Sequence, residues 1–211
     1  DMISINEIAE KYKLHIIEDC AHCIEGQRDD IRPGQLSIAA VFSFYATKNI
    51  TSGEGGSIVT NNNELYEKLV KYRLHGMNKG AAERHTSSYQ HWDMELLGYK
   101  CNMSDIQASL LLPQLKNIEK FLRAREKICM KYESAFVNFN GLIFPKVLKN
   151  TKHARHLFTV WVNPLKRDKI IYKLQRANIG ITVNYRPIHL LSYYKNKFRI
   201  SRGSLPNAER I

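Results

Sequence analysis

No apolar run in this chain approaches the length of about 18 residues that a membrane-spanning helix needs, which excludes that class of protein. No secretory leader stands at Asp1, although a start inside a longer polypeptide would hide one. The 4 cysteines are too few for a disulfide framework, which favours a cytoplasmic home. Cys20 and Cys23 form a CxxC pair, but no second pair and no HxxxH follows to complete a zinc site. The pair is read as two small residues beside a strand end. Repeats and low-complexity segments are missing, as are GxGxxG and GxxxxGK[ST] phosphate loops. Gly53 to Gly56 therefore reads as well as a tight turn as it does as a phosphate cradle. Acidic residues are also short, 20 against 32 basic, for a net charge of +12. Such charge raises nucleic-acid binding through counterion release. Yet the basic stretches 117–131 and 195–202 mix with apolar residues at helical spacing, and no recognised module stands out. A solvated face is the better account, and no nucleic-acid partner is expected.

What is present suits a folded α/β chain. At 211 residues and 44% hydrophobic it can bury a sizeable core, in one or two domains. The spacing predicts a helix over 3–12, a strand over 14–17, a strand over 39–44 and a strand over 57–60. A helix over 63–74 follows, with Asn61 or Asn62 as its cap. Residues 76–100 read as an irregular active-site loop holding His85, His91 and Trp92, with no third ligand to make the histidines a metal site. Ser104 opens a long helical pattern that Pro113 should kink or interrupt. A strand over 156–162, a helix over 167–177 and a strand over 179–185 complete an α+β ending. A boundary within the long helix divides the chain into domains 1–122 and 123–211.

Two residues carry the chemistry. Asp19 follows the first apolar strand, in IIEDCAH, and Lys48 follows the second, in FSFYATKNITSGEGG. Parallel α/β sheets place ligands beyond the carboxyl ends of such strands. An amine and a carboxylate there suit pyridoxal 5′-phosphate: the amine forms a Schiff base with its aldehyde, and the carboxylate keeps the ring nitrogen protonated as an electron sink. Taken alone, each residue has a bland alternative: a solvated lysine, and an aspartate capping a helix.

The surrounding text decides between them. IIEDCAH, FSFYATKNITSGEGG, HGMNK, GYKCNMSDIQASL, HARHLFTVWV, GITVNYRPIHLLSYYKNKF and LPNAERI, in this order, resemble the DegT/DnrJ/EryC1/StrS family of pyridoxal-phosphate-dependent sugar aminotransferases. The resemblance implies a fold-type-I transferase, with part of a large α/β domain followed by a smaller α+β domain. It implies Asp19 on the ring nitrogen, Lys48 as the Schiff-base lysine, His22 on the ring hydroxyl and Ser43 on the phosphate. Asn102 would reach the cofactor of a neighbouring subunit, which implies a homodimer with shared active sites. Asn184, Tyr185, Arg186 and His189 fall where the family recognises its sugar, with Asn184 at a position commonly held by histidine. A branch of the family that dehydrates instead of transaminating has histidine in place of the lysine. Lys48 places this chain with the aminotransferases. The implied reaction moves an amino group, from glutamate by family likeness, to a nucleotide-linked keto sugar for surface polysaccharide or a glycosylated metabolite. The family's pattern begins well before Asp1 and runs past Ile211, so an internal fragment or an inactive remnant of such an enzyme is the other expectation.

Overall fold

A computed structural model describes residues 1–80 and 91–210, so His85 lies outside the described residues. Asp1 caps the first helix, its carboxylate accepting the Ser4 N–H at 3.2 Å. Helix α1 (Met2–Tyr12) ends where Lys13 turns left-handed at φ 53°. The Leu14 N–H then returns to the Ala9 carbonyl at 2.8 Å. This turn delays strand pairing. The strand expected over 14–17 instead becomes β1 (Ile17–Asp19), so Asp19 is a strand residue and not the residue after one.

A mixed sheet positions the site. Besides the short β2 (Gln27–Arg28), the chain supplies β3 (Ala39–Ser43) and β4 (Gly56–Val59). Their order is β1-β3-β4, with β1 parallel to β3 and β4 antiparallel to it. Asp19 faces Val41 across the first pair, and Ser43 faces Gly56 across the second. The expected apolar strands are not equally buried. Ala39 and Ala40 are enclosed, whereas Leu14 and Ile17 stand 62% and 68% exposed. Glycine is needed at the entry to β4: a Cβ on Gly55, at φ 148°, would meet Ser52 Oγ at 2.8 Å, and one on Gly56 would meet the Phe42 carbonyl at 2.7 Å. These glycines serve the chain's own close approach.

Helix α2 (Asn63–Tyr72) is capped by Asn62, whose side chain accepts the Leu65 N–H at 2.8 Å. Ser104 opens α3 (Asp105–Lys116) with a capping box closed by Gln107. Pro113 sits inside α3, and the break falls four residues later at Asn117, before α4 (Ile118–Phe136). The Asn117 side chain donates to the Pro113 carbonyl at 2.8 Å, while its own carbonyl accepts from Phe121 at 3.0 Å. Asn117 thus closes one helix and starts the next.

The rest comprises β5 (Leu142–Ile143), β6 (Thr151–Lys152), β7 (Trp161–Val162), α5 (Pro164–Arg176), a 3-10 turn (Ile188–Leu190), α6 (Ser192–Phe198) and α7 (Pro206–Arg210). Asn163 caps α5 and Pro164 takes its first position, so this helix starts earlier than the expected residue 167. The strand expected over 156–162 shrinks to β7, where only Trp161 and Val162 find partners, in Ile143 and Leu142. The strand expected over 179–185 does not form. Apolar and aromatic residues there satisfy strand propensity, but that propensity reflects packing on a neighbouring strand and none pairs with them.

The chain divides into two compact units: Asp1–Lys127 with Val147–His156, and Ile128–Lys146 with Leu157–Ile211. The first is cored by Phe44, Ile50 and Leu111, with Ile24, Phe42, Met103 and Ile118 packed around them. In the second, Phe158 gathers Tyr132 and Phe144 at ring separations of 5.0 and 5.7 Å. Among the described residues no helix is long and apolar enough to cross a membrane.

Ile50 is fully enclosed, so Ile50→Ala is expected to lower unfolding free energy by about 2–5 kcal/mol. Ile106→Ala, on a side chain 79% exposed, should cost no more than about 0.5 kcal/mol. Urea unfolding of both variants checks the contrast.

Candidate active site

The sheet brings the carboxyl ends of β1 and β3 side by side. Asp19 ends β1 with its carboxylate exposed, and its Oδ1 accepts the Ala21 N–H at 3.0 Å. Ser43 ends β3, with its Oγ 3.4 Å from the Tyr45 N–H. Residues 44–55 then form a loop closed by main-chain bonds: Phe44 donates to Gly55 at 2.8 Å and accepts from Ser52 at 3.0 Å. Within the loop the Lys48 N–H bonds the Tyr45 carbonyl at 2.9 Å. The following turn is held from outside. Gln114 of α3 accepts the Thr51 N–H at 3.0 Å and donates to the Thr51 carbonyl at 2.8 Å.

Lys48 is half-buried on this anchored loop. Three lysines are taken by carboxylates: Lys68 by Glu64, Lys71 by Glu95 and Lys152 by Glu119. Among the described residues Lys48 enters no such pair. Its charge acts on the imidazole of His156. His22, exposed in the turn after β1, lays its ring against His156 with centroids 4.2 Å apart and 32° between planes. His156 Nδ1 lies 2.8 Å from Asn49 Oδ1. The Asn49 amide nitrogen donates to Glu25 Oε1 at 3.2 Å and to the Ala154 carbonyl at 3.1 Å. Arg125 of α4 pairs with the buried Glu25 and donates to the same Ala154 carbonyl at 3.2 Å. Burial, and then the positive charge of His22, Lys48 and Arg125, hold His156 down at about 4.

The sequence pointed to Asp19, His22, Ser43 and Lys48 in this unit. It missed Asn49 and His156, which join across 107 positions in the chain. The only signal was that both lie inside the quoted runs. Asn102 is exposed two residues before the Ser104 cap and, among the described residues, makes no hydrogen bond to Asp19, His22, Ser43 or Lys48. In the second unit Asn184 is half-buried, while Tyr185 and Arg186 are exposed. His189 is buried, its Nε2 2.9 Å from Glu209 Oε1. That contact leads the influences holding the Glu209 carboxyl below its ordinary range. His189 is thus occupied within its own unit.

The CxxC thiols are poor nucleophiles. Burial first, then Glu18, Cys23 and Asp19, push Cys20 up to about 12, and burial raises Cys23 as well. Among the described residues no group of three or more His, Cys, Asp or Glu could hold a metal ion.

This architecture is that of part of a fold-type-I, pyridoxal-phosphate-dependent transferase. The chain belongs to the DegT/DnrJ/EryC1/StrS aminotransferase family, whose model matches residues 1–211. An uncharacterised protein of Methanocaldococcus jannaschii is 42% identical over 100% of this chain and 56% of its own length. The spore coat polysaccharide biosynthesis protein SpsC of Bacillus subtilis is 38% identical over 99% of this chain and 55% of its own. A Campylobacter jejuni UDP-4-amino-4,6-dideoxy-N-acetyl-beta-L-altrosamine transaminase is 30% identical over 92% of this chain and 51% of its own. Among solved structures, Helicobacter pylori PseC, an aminotransferase involved in the biosynthesis of pseudoaminic acid, superposes with TM-score 0.88 at 26% identity, covering 100% of this chain and 56% of that one. The PLP form of a protein assigned as a sugar aminotransferase in Streptococcus pneumoniae gives TM-score 0.85 at 28% identity, covering 99% of this chain and 57% of that one. The chain spans about half the length of the curated relatives it matches.

His156 gives a pH signature. In the unfolded chain its imidazole takes a proton near the ordinary 6.5, whereas in the folded chain it stays neutral to about 4. The stability it contributes is therefore complete above 6.5 and lost as pH falls from there toward 4. An NMR titration should place the folded midpoint near 4, and His156→Phe should flatten the fall in urea midpoint between pH 7 and pH 5.

Proposed function

We propose that this chain carries the lysine-bearing part of a pyridoxal-phosphate site and serves amino transfer to a nucleotide-linked keto sugar, with glutamate as donor, in surface polysaccharide or glycoconjugate synthesis. One observation carries the reading: Lys48 is held on a loop anchored to the core, beside two parallel strand ends bearing Asp19 and Ser43. The donor set fits the cofactor. It offers an amine for an aldehyde, an exposed carboxylate for a ring nitrogen, and a hydroxyl for a phosphate.

When bound, pyridoxal phosphate supplies an electron sink for a carbanion on the amino carbon. Asp19 would bind the ring nitrogen and keep it protonated, and Ser43 Oγ would hydrogen-bond the phosphate. His22 would bind the ring hydroxyl, and Lys48 Nζ would hold the aldehyde carbon covalently. Released by the amino donor, Lys48 Nζ would take and return a proton on the face it occupies. Asn102 would serve a neighbouring copy's site in a homodimer, and Asn184, Tyr185 and Arg186 would meet the sugar. The side chain of His189 is committed to Glu209, so its part would be to support that run from within.

Borohydride reduction of the cofactor-loaded protein followed by peptide mapping should place the label on Lys48. A label on another lysine removes the basis of the reading. Lys48→Ala should lower turnover by at least ~100-fold while leaving unfolding unchanged. Asp19→Asn should lose far more rate than cofactor affinity, because an amide can bond the ring nitrogen but cannot balance its charge. Equal losses in both would mark Asp19 as a structural residue.

A further inference from the structure

We propose that His156 is a positioning residue, which locks the Lys48 loop and the His22 ring into one fixed arrangement by bonding Asn49 and packing on His22. The inference rests on the reading of Lys48 as the cofactor-bearing lysine.

The hydrogen-bond pattern fixes the chemistry. The Asn49 amide nitrogen faces two acceptors, Glu25 Oε1 and the Ala154 carbonyl, so it must be the NH2 end. Its Oδ1 then faces His156 Nδ1, and that ring nitrogen must carry the proton and donate. In the neutral ring Nε2 consequently has none. The same ring lies against His22 at 4.2 Å. One imidazole therefore reaches the residue next to Lys48 and the side chain assigned to the ring hydroxyl. Its own segment is not free to drift. Arg125 grips the Ala154 carbonyl and the buried Glu25, and Arg155 is held by both oxygens of Glu126 at 2.7 and 2.9 Å. The arrangement is a rigid bracket, built from α4 and the 154–156 segment, behind the lysine loop.

A bracket of this kind acts on placement and not on the reaction itself. Removing the ring should strand Asn49 Oδ1 and release His22, so Lys48 and His22 should sample wider positions. Binding of a group that needs both at once should weaken, and the group should be held less uniformly.

The test uses the complete protein loaded with pyridoxal phosphate, with His156→Ala, His156→Phe, which keeps a flat ring without the donor, and His156→Gln, which keeps a donor without the ring. The readouts are the dissociation constant for pyridoxal phosphate, the visible circular dichroism of the bound cofactor, and kcat against KM for the sugar substrate. His156→Ala should weaken cofactor binding about tenfold, the scale of one hydrogen bond. It should also reduce the dichroism and lower kcat with KM little changed. His156→Gln should recover part of the affinity. Should His156→Ala fail to fold, the glutamine and phenylalanine variants carry the same comparison. Variants that lose thermal stability yet keep cofactor affinity within twofold and an unaltered dichroism overturn the inference, leaving His156 a packing residue. Cofactor mapped away from Lys48 in the unsubstituted protein overturns the underlying reading and this inference with it.

Discussion

The placement of Lys48 depends on the burial of Ile50. Two residues after the lysine, this side chain is fully enclosed between Phe44 and Leu111. Withdrawing it would cost its whole transfer free energy and leave a cavity, on the order of several kcal/mol. The loop that begins at the end of β3 therefore cannot lengthen outward, and Gln114 bonds both sides of Thr51 to stop it rotating. Lys48 is left half-buried at a fixed height above the sheet. Helix α3 matters to the site for this reason: it brings Leu111 and Gln114, one turn apart, against the loop.

The second constraint is electrostatic and long-range in sequence. Glu25 and Arg125 pair across 100 positions, with the Glu25 side chain 1% exposed. Burying such a pair costs desolvation that its attraction only partly offsets, so it is weak evidence for net stability. Breaking one partner would be far worse, because the other charge would remain inside the protein. Arg125 and Asn49 both converge on Glu25 and on the Ala154 carbonyl. The pair thus selects a geometry for the segment 154–156 more than it strengthens the fold.

Local signals were legible and tertiary ones were not. Asn62 and Ser104 announced their helices because caps act within three residues, and the apolar run around Ala39 announced β3. The first strand was misplaced because the left-handed turn at Lys13 is invisible to periodicity. Pro113 was expected to kink or interrupt the long helix. It stands ninth of the 12 residues of α3, where its missing N–H removes one bond close to the helix end, and the break waits for Asn117, whose side chain donates to the Pro113 carbonyl. Residues 179–185 have strand composition, but composition cannot supply a partner. In the candidate site, Asp19 and Lys48 could be recognised because their chemistry is carried by local text. His156 could not, since its meaning lies in Asn49, Arg125 and His22, which the chain brings to it from far away.

The net charge of +12 is the feature that locality explains least. Exposed pairs such as Lys68 with Glu64 are screened by water and add little, so the basic excess is not a device for stability. Nor does a total charge select a ligand. At physiological salt a cation is screened beyond about 8 Å, so an anionic group senses only the residues near where it sits. A single exposed arginine within a run of substrate-facing residues, as Arg186 is in the proposed reading, acts at close range. A sugar diphosphate would be drawn by that position, and the rest of the excess would leave its affinity almost unchanged.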